Sequence, residues 1–217
     1  MDFAAARKHM VDSQVRTNDV TDPRIQRAFE LVPRERFVPA ELRPQAYIDR
    51  EVVYAPGHSL PTARDLSKLL EALDIRPSDL VLDVGCGSGY STAIIAMLGE
   101  MVVAVERDEA LAALAQENWG AIGAVNAAVV IADPAQGAPK QGPFDVIVIG
   151  QTIEIEPTGL LDQLKEGGRL GAFLRRNGVA SACVWRRSGA AFGMAEVFDA
   201  SVQTVLEGFT RPKAFLF

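Results

Sequence analysis

The stretch Leu80-Val81-Leu82-Asp83-Val84-Gly85-Cys86-Gly87-Ser88-Gly89-Tyr90 decides the fold. An apolar, β-branched run of this kind suits a central strand buried on both faces. The glycines that follow allow a tight turn into a helix and let a ligand come close to the backbone. A dinucleotide fingerprint of the form G-x-G-x-x-G would need glycine at position 90, where this chain has Tyr90. The spacing is instead G-x-G-x-G, with Asp83 two residues before the first glycine. A pyrophosphate needs unobstructed amides at a helix start and is repelled by a neighbouring carboxylate. S-adenosylmethionine has no phosphate and carries a cationic sulfonium and ammonium, so it suits an acidic strand end better.

Met101-Val102-Val103-Ala104-Val105-Glu106 reads as a second strand closing on an acid. Glu106 follows the glycines by roughly 20 residues, where ribose hydroxyls want a carboxylate acceptor. A third apolar run, Ala124 to Ile131, leads to Asp133, and a fourth, Phe144 to Ile149, surrounds Asp145. Acids just past strand ends line the crevice of doubly wound sheets, although Asp133 reads equally well as a cap or turn residue. The candidate cofactor-binding set is therefore Asp83, Gly85, Gly87, Gly89, Glu106 and Asp133.

From Leu80 to about Leu164 strands alternate with helical segments, the pattern of a parallel α/β sheet. After Gly167-Gly168 come short strands at Arg169 to Leu174, Val179 to Trp185 and Phe192 to Phe198, with a last apolar run at Ala214 to Phe217. Their links are too short for helical crossovers, which predicts antiparallel pairing. Upstream, Asp2 caps a first helix, and Asp22 with Pro23 opens a second that ends before Pro33. Between Pro39 and Pro61 the chain is irregular, long for a connector and suited to a substrate loop or lid. Thr62-Ala63-Arg64-Asp65 has capping-box form and leads into Leu66, Leu69, Leu70 and Leu73 on one helical face. The expected architecture is α/β: a doubly wound, Rossmann-like sheet, mostly parallel with antiparallel C-terminal strands. A helical and substrate-loop region over 1–61 packs on the cofactor-binding domain 62–217 as one structural unit.

The 217 residues suffice for a full core, and 48% hydrophobic with 23% charged residues is ordinary for a globular chain. The net charge of −6 leaves no basic arm; the pairs Arg175-Arg176 and Arg186-Arg187 read as solvated strand ends, which disfavours nucleic acid as a partner. Two cysteines and two histidines make neither a disulfide framework nor a metal site. No apolar run reaches the length of a membrane span and no signal peptide opens the chain, so a cytoplasmic location without membrane contact is expected. Nothing in the sequence fixes the oligomeric state.

Several stretches resemble one family. The glycine loop, Glu106, Pro143-Phe144-Asp145-Val146-Ile147-Val148 and Leu164-Lys165-Glu166-Gly167-Gly168-Arg169-Leu170 are similar to successive motifs of class I S-adenosylmethionine-dependent methyltransferases. Gln14-Val15, Asp22-Pro23-Arg24-Ile25, Val32-Pro33-Arg34-Glu35-Arg36-Phe37-Val38-Pro39 and Ala46-Tyr47-Ile48-Asp49 resemble the start of protein-L-isoaspartate O-methyltransferases, in order and with matching gaps. The resemblance runs from about residue 10 to residue 170. It implies S-adenosylmethionine as cofactor and the carboxylate of damaged L-isoaspartyl residues, in protein or peptide, as acceptor.

Two departures fall where specificity is expected. The family usually reads T-I-S-Q-P or T-I-S-A-P before the helix that precedes the glycine loop, its serine being taken as the active-site residue. Counted without gaps from Asp83, this chain places Pro61 at that serine and Ser59 at the threonine. A two-residue gap would restore S-x-P but would require a compensating insertion in the next helix. Ser59 is the one hydroxyl the sequence nominates for catalysis, and it also reads as an ordinary turn serine. The second departure is Gly150-Gln151-Thr152-Ile153, where the family commonly has T-A-A-A or T-A-A-P. His58 would serve as a base for a different acceptor, or is an incidental loop histidine. Two other functions stay open: a methyltransferase with another acceptor, and a cofactor-binding relative without catalysis.

Overall fold

The computed structural model describes residues 1–211. Helices α1 (Phe3–Met10) and α2 (Pro23–Leu31) begin at the expected caps: Asp2 accepts from the Ala5 amide at 3.0 Å and Asp22 from the Arg24 amide at 2.7 Å. The stretch expected to be irregular holds a 3₁₀ segment, Ala40–Gln45, and a two-stranded antiparallel hairpin, β1 (Val52–Ala55) and β2 (His58–Leu60). Helix α3 (Ala63–Leu73) starts at Thr62, whose side chain accepts from the Asp65 amide at 3.0 Å. The reciprocal half of the capping box is missing. Asp65, fully buried, turns instead to the Ser201 amide (2.8 Å) and hydroxyl (2.6 Å), tying the C-terminal segment to α3.

The remaining elements are β3 (Leu80–Val84), α4 (Tyr90–Ile95), β4 (Met101–Glu106), α5 (Glu109–Ile122), β5 (Ala127–Ile131), β6 (Phe144–Ile153), α6 (Thr158–Leu161), β7 (Leu164–Arg176), β8 (Val179–Ser188) and β9 (Ala191–Ala200). They form a seven-stranded sheet of order β5-β4-β3-β6-β7-β8-β9. The first five in that order are parallel, and β8 and β9 are antiparallel, as the short links predict. The chain leaves β3 towards β4 and β5, then returns to its other side as β6. The switch point thus opens a crevice at the carboxyl end of β3, where the glycines lie.

One hydrophobic cluster joins the first sixty residues to the sheet. It includes Met10, Ile25, Phe29 and Phe37 together with Leu66, Leu70, Val81, Val102 and Val146. Strand β6 runs past the expected end at Ile149, with its register against β7 shifting between Ile149 and Thr152. Such a bulge re-aims the side chains around it. Beyond β9, residues 201–211 run beside the end of β6: the Thr152 amide donates to the Thr204 carbonyl and the Leu206 amide to the Thr152 carbonyl. The expected run at Ala214 to Phe217 lies outside the described residues. Among the described residues, no helix is long and apolar enough to cross a membrane.

Candidate functional site

The glycine loop leaves β3 with Gly85, Gly87 and Gly89 at φ +72°, +54° and +92°, values that favour glycine. Its shape is held from several sides. The Gly85 and Cys86 amides donate to the Val105 carbonyl at 2.9 and 3.1 Å. From α5, Asn118 Nδ2 donates to the Ser88 carbonyl at 3.0 Å and Trp119 Nε1 to the Gly89 carbonyl at 2.9 Å. Cys86 is buried, and burial pushes its thiol well above its ordinary pKa, which suits packing rather than thiol chemistry.

Asp83 lies under the loop, buried, with Oδ2 accepting from the Ser91 hydroxyl at 2.7 Å and the Thr92 hydroxyl at 2.6 Å. Its Oδ1 has no partner among the described residues. Burial raises the Asp83 pKa to about 6, against the lowering effect of those two hydroxyls. Glu106 closes β4. Its Oε2 accepts from the Gly87 amide at 2.8 Å, and its Oε1 accepts from the Arg107 and Asp108 amides at 2.8 and 2.9 Å. A cavity of about 600 Å³ opens beside it, lined by Gly57, His58, Glu106, Asp108, Pro134 and Leu206 among others.

Asp133 stands at the edge of this cavity. Its Oδ1 accepts from the Ala135 amide at 2.9 Å, the capping role, while its Oδ2 faces Arg107 Nη2 at 3.5 Å. Arg107 also pairs with Glu207 of the C-terminal segment. The structure therefore places Glu106 on the larger cavity, Gly85 on a separate small chamber, Asp83 against the Ser91 and Thr92 hydroxyls, and Asp133 opposite Arg107, which lines the larger cavity. Ser59 sits apart from the large cavity, on a chamber of about 20 Å³ that it lines with Pro61, Gly85, Ser91, Gly150 and Gln151 among others. Its hydroxyl donates to Glu51 Oε1 at 2.5 Å, and Glu51 also accepts from the Gln203 and Thr204 amides.

Other residues enter the site from afar. Tyr54 accepts from the Ser88 amide at 3.0 Å and lies over Gly87, where an added Cβ would come within 2.0 Å of its hydroxyl. Leu206 packs on Gly85, 2.5 Å from the position a Cβ would take. His58, far from incidental, places Nε2 at 3.3 Å from Glu106 Oε1 and Nδ1 at 2.9 Å from the Pro56 carbonyl. Burial opposes charging His58, but Glu106 and the Pro56 carbonyl outweigh it, so its pKa rises. Burial likewise opposes ionisation of Glu106, but His58 and the Asp108 and Gly87 amides hold its pKa below the ordinary value.

A pH dependence of ligand binding follows from that pair. As pH falls through the raised His58 pKa, the imidazolium engages Glu106 more strongly, so affinity for an adenosine-type ligand that hydrogen-bonds Glu106 should fall as pH drops. In an H58N variant, titration calorimetry should show the upper part of this slope flattened. Any fall that persists near pH 6 belongs to Asp83, whose carboxylate takes up its proton there.

The residues present fit an adenosine-type cofactor: a buried carboxylate on a cavity of suitable size, a glycine turn, and an unpartnered Asp83 oxygen beneath it. The doubly wound sheet with this site at its switch point defines an S-adenosylmethionine-dependent methyltransferase. A family model described as protein-L-isoaspartate(D-aspartate) O-methyltransferase matches residues 5–195. The protein-L-isoaspartate O-methyltransferase of Koribacter versatilis is 38% identical over 168 residues, 77% of this chain and 76% of the relative. That of Methanoculleus marisnigri is 39% identical over 164 residues, 76% and 74% of the two chains. The chain belongs to the protein-L-isoaspartate O-methyltransferase family.

Solved structures agree at the level of fold. A putative protein-L-isoaspartate O-methyltransferase from Plasmodium falciparum, in complex with S-adenosyl-L-homocysteine, superposes with a TM-score of 0.77 at 19% identity, covering 94% of this chain and 98% of that one. A second structure named protein-L-isoaspartate O-methyltransferase superposes with a TM-score of 0.79 at 23% identity, covering 93% of this chain and 66% of that longer one.

Proposed function

We propose that the protein transfers a methyl group from S-adenosylmethionine to the side-chain carboxylate of L-isoaspartyl residues in proteins and peptides. The observation that carries this reading is the Glu106 carboxylate, buried on the wall of the cavity beside the glycine loop, in a chain of this family. The cofactor supplies an electrophilic methyl group on sulfur. Glu106 would hold its ribose, the segment at Asp133 and Pro134 would border the adenine, and Asp83 with Gly85, Gly87 and Gly89 would shape the amino-acid end.

An isoaspartyl carboxyl group has an ordinary pKa near ~4 and is already an anion at neutral pH, so no general base is required. The protein's work is positioning and exclusion of water. The β1–β2 hairpin and Pro61 border the acceptor in this reading. Ser59 is the hydroxyl on that side, and donation to an acceptor carboxylate requires its proton to leave Glu51. Residues 1–61 and 62–217 act as one unit, in the cytoplasm. The net charge of −6 favours a polypeptide over nucleic acid as the substrate macromolecule.

The test is transfer of a labelled methyl group to an isoaspartyl peptide, with the matching aspartyl peptide as control and S-adenosylhomocysteine binding followed by calorimetry. Selective transfer is expected. Binding without transfer to the isoaspartyl peptide would overturn the acceptor. It would favour the second reading, a methyltransferase for another acceptor, which Pro61 and Gln151 support.

A further inference from the structure

Gln151 sits where the β6 register shifts, and it is 3% exposed. Its Nε2 donates to the Gly57 carbonyl at 2.8 Å. That bond fixes the amide's orientation, because the reversed amide would set two oxygens against each other. Oε1 is thereby turned towards the glycine loop, 3.2 Å from the position a Cβ would take on Gly85, and it is buried with no hydrogen-bond partner among the described residues. An unpaired buried acceptor is costly unless a ligand supplies the donor.

The chamber it lines has room for one small group: about 20 Å³, the size of a water or an ammonium. Two of its other polar walls lead to carboxylates, the Ser59 hydroxyl donating to Glu51 and the Ser91 hydroxyl to Asp83. The Ser91 hydroxyl gives its proton to Asp83 Oδ2, so a carboxylate stands directly behind that wall, with its own Oδ1 unpartnered. Such a chamber favours a cationic hydrogen-bond donor. Leu206 separates it from the larger cavity, lining that cavity while packing on Gly85.

We propose that Gln151 Oε1 accepts a hydrogen bond from the α-ammonium group of the cofactor, making Gln151 a determinant of affinity for the amino-acid end of S-adenosylmethionine and S-adenosylhomocysteine. This rests on the cofactor assignment above. A hydrogen bond from a charged donor to a buried amide oxygen is worth roughly tenfold or more in affinity. The Gly57 bond, in contrast, steadies the hairpin and serves every ligand of the large cavity alike.

The experiment is titration calorimetry of the wild type, Gln151→Leu and Gln151→Met with three ligands: S-adenosylhomocysteine, its desamino analogue and 5′-methylthioadenosine. Wild type should prefer S-adenosylhomocysteine to the desamino analogue by about tenfold. Both variants should lose about tenfold for S-adenosylhomocysteine and keep the other two affinities within about twofold. Retained binding of 5′-methylthioadenosine also shows that the variants are folded. Equal losses for all three ligands would assign Gln151 to the hairpin alone and overturn the proposal, as would an unchanged affinity for S-adenosylhomocysteine. A wild type that binds none of the three would overturn the cofactor assignment and this inference with it.

Discussion

Glu106→Ala is expected to weaken S-adenosylhomocysteine binding by about a hundredfold or more, read by calorimetry. The substitution removes the acceptor assigned to the ribose and also leaves the Gly87, Arg107 and Asp108 amides without their carboxylate. Each unpaired buried amide costs about 1–3 kcal/mol, so the loop should relax as well as lose a contact. Glu106→Gln should be nearly as damaging despite its matched shape. One of its two termini becomes an NH₂ group, which must face either the Gly87 amide or the Arg107 and Asp108 pair. Affinity left unchanged by the alanine substitution would remove Glu106 from the cofactor site.

The second large effect is a gain. Pro61→Ser is expected to raise kcat/KM for an isoaspartyl peptide by about tenfold, the range for one charge-assisted hydrogen bond that binds and orients the acceptor carboxylate. Pro61 is buried, and its carbonyl accepts from Arg34 Nη2 at 2.6 Å, which holds the backbone whichever side chain follows. A serine there would add a hydroxyl to the wall shared with Ser59, whose own proton is given to Glu51. S-adenosylhomocysteine affinity, measured alongside, separates an effect on the acceptor from one on the ammonium chamber that Pro61 also lines. An unchanged kcat/KM with cofactor binding intact would show that position 61 does not border the acceptor.

Local chemistry explains which features were legible in the sequence. Strand β3, the glycine spacing, the acid at the end of β4 and the caps at Asp22 and Thr62 each depend on residues within a few positions of one another. Those expectations match the structure. The hairpin at Val52–Leu60 leaves little signal in the sequence because its strands are only three or four residues long and are separated by Pro56 and Gly57. The site's remaining parts come together only through tertiary contact. His58 meets Glu106 across 48 positions, Tyr54 meets Ser88 across 34, and Leu206 reaches Gly85 from beyond the last strand. Gln151 is unusual in sequence, but the direction of its amide depends on the bulge in β6 and on a carbonyl 94 residues upstream.

The braces from α5 bear on how natural variation in this chain should be interpreted. Asn118 and Trp119 hold the Ser88 and Gly89 carbonyls from 30 residues downstream, on a helix whose sequence looks like ordinary alanine-rich packing. Distance along the chain would class a change there as remote, and burial would class it as a matter of stability alone. Yet the curvature of the cofactor loop is encoded partly in those two side chains. Inherited differences at 118 and 119 therefore belong with differences at the glycines themselves when relatives of this protein are sorted by ligand affinity.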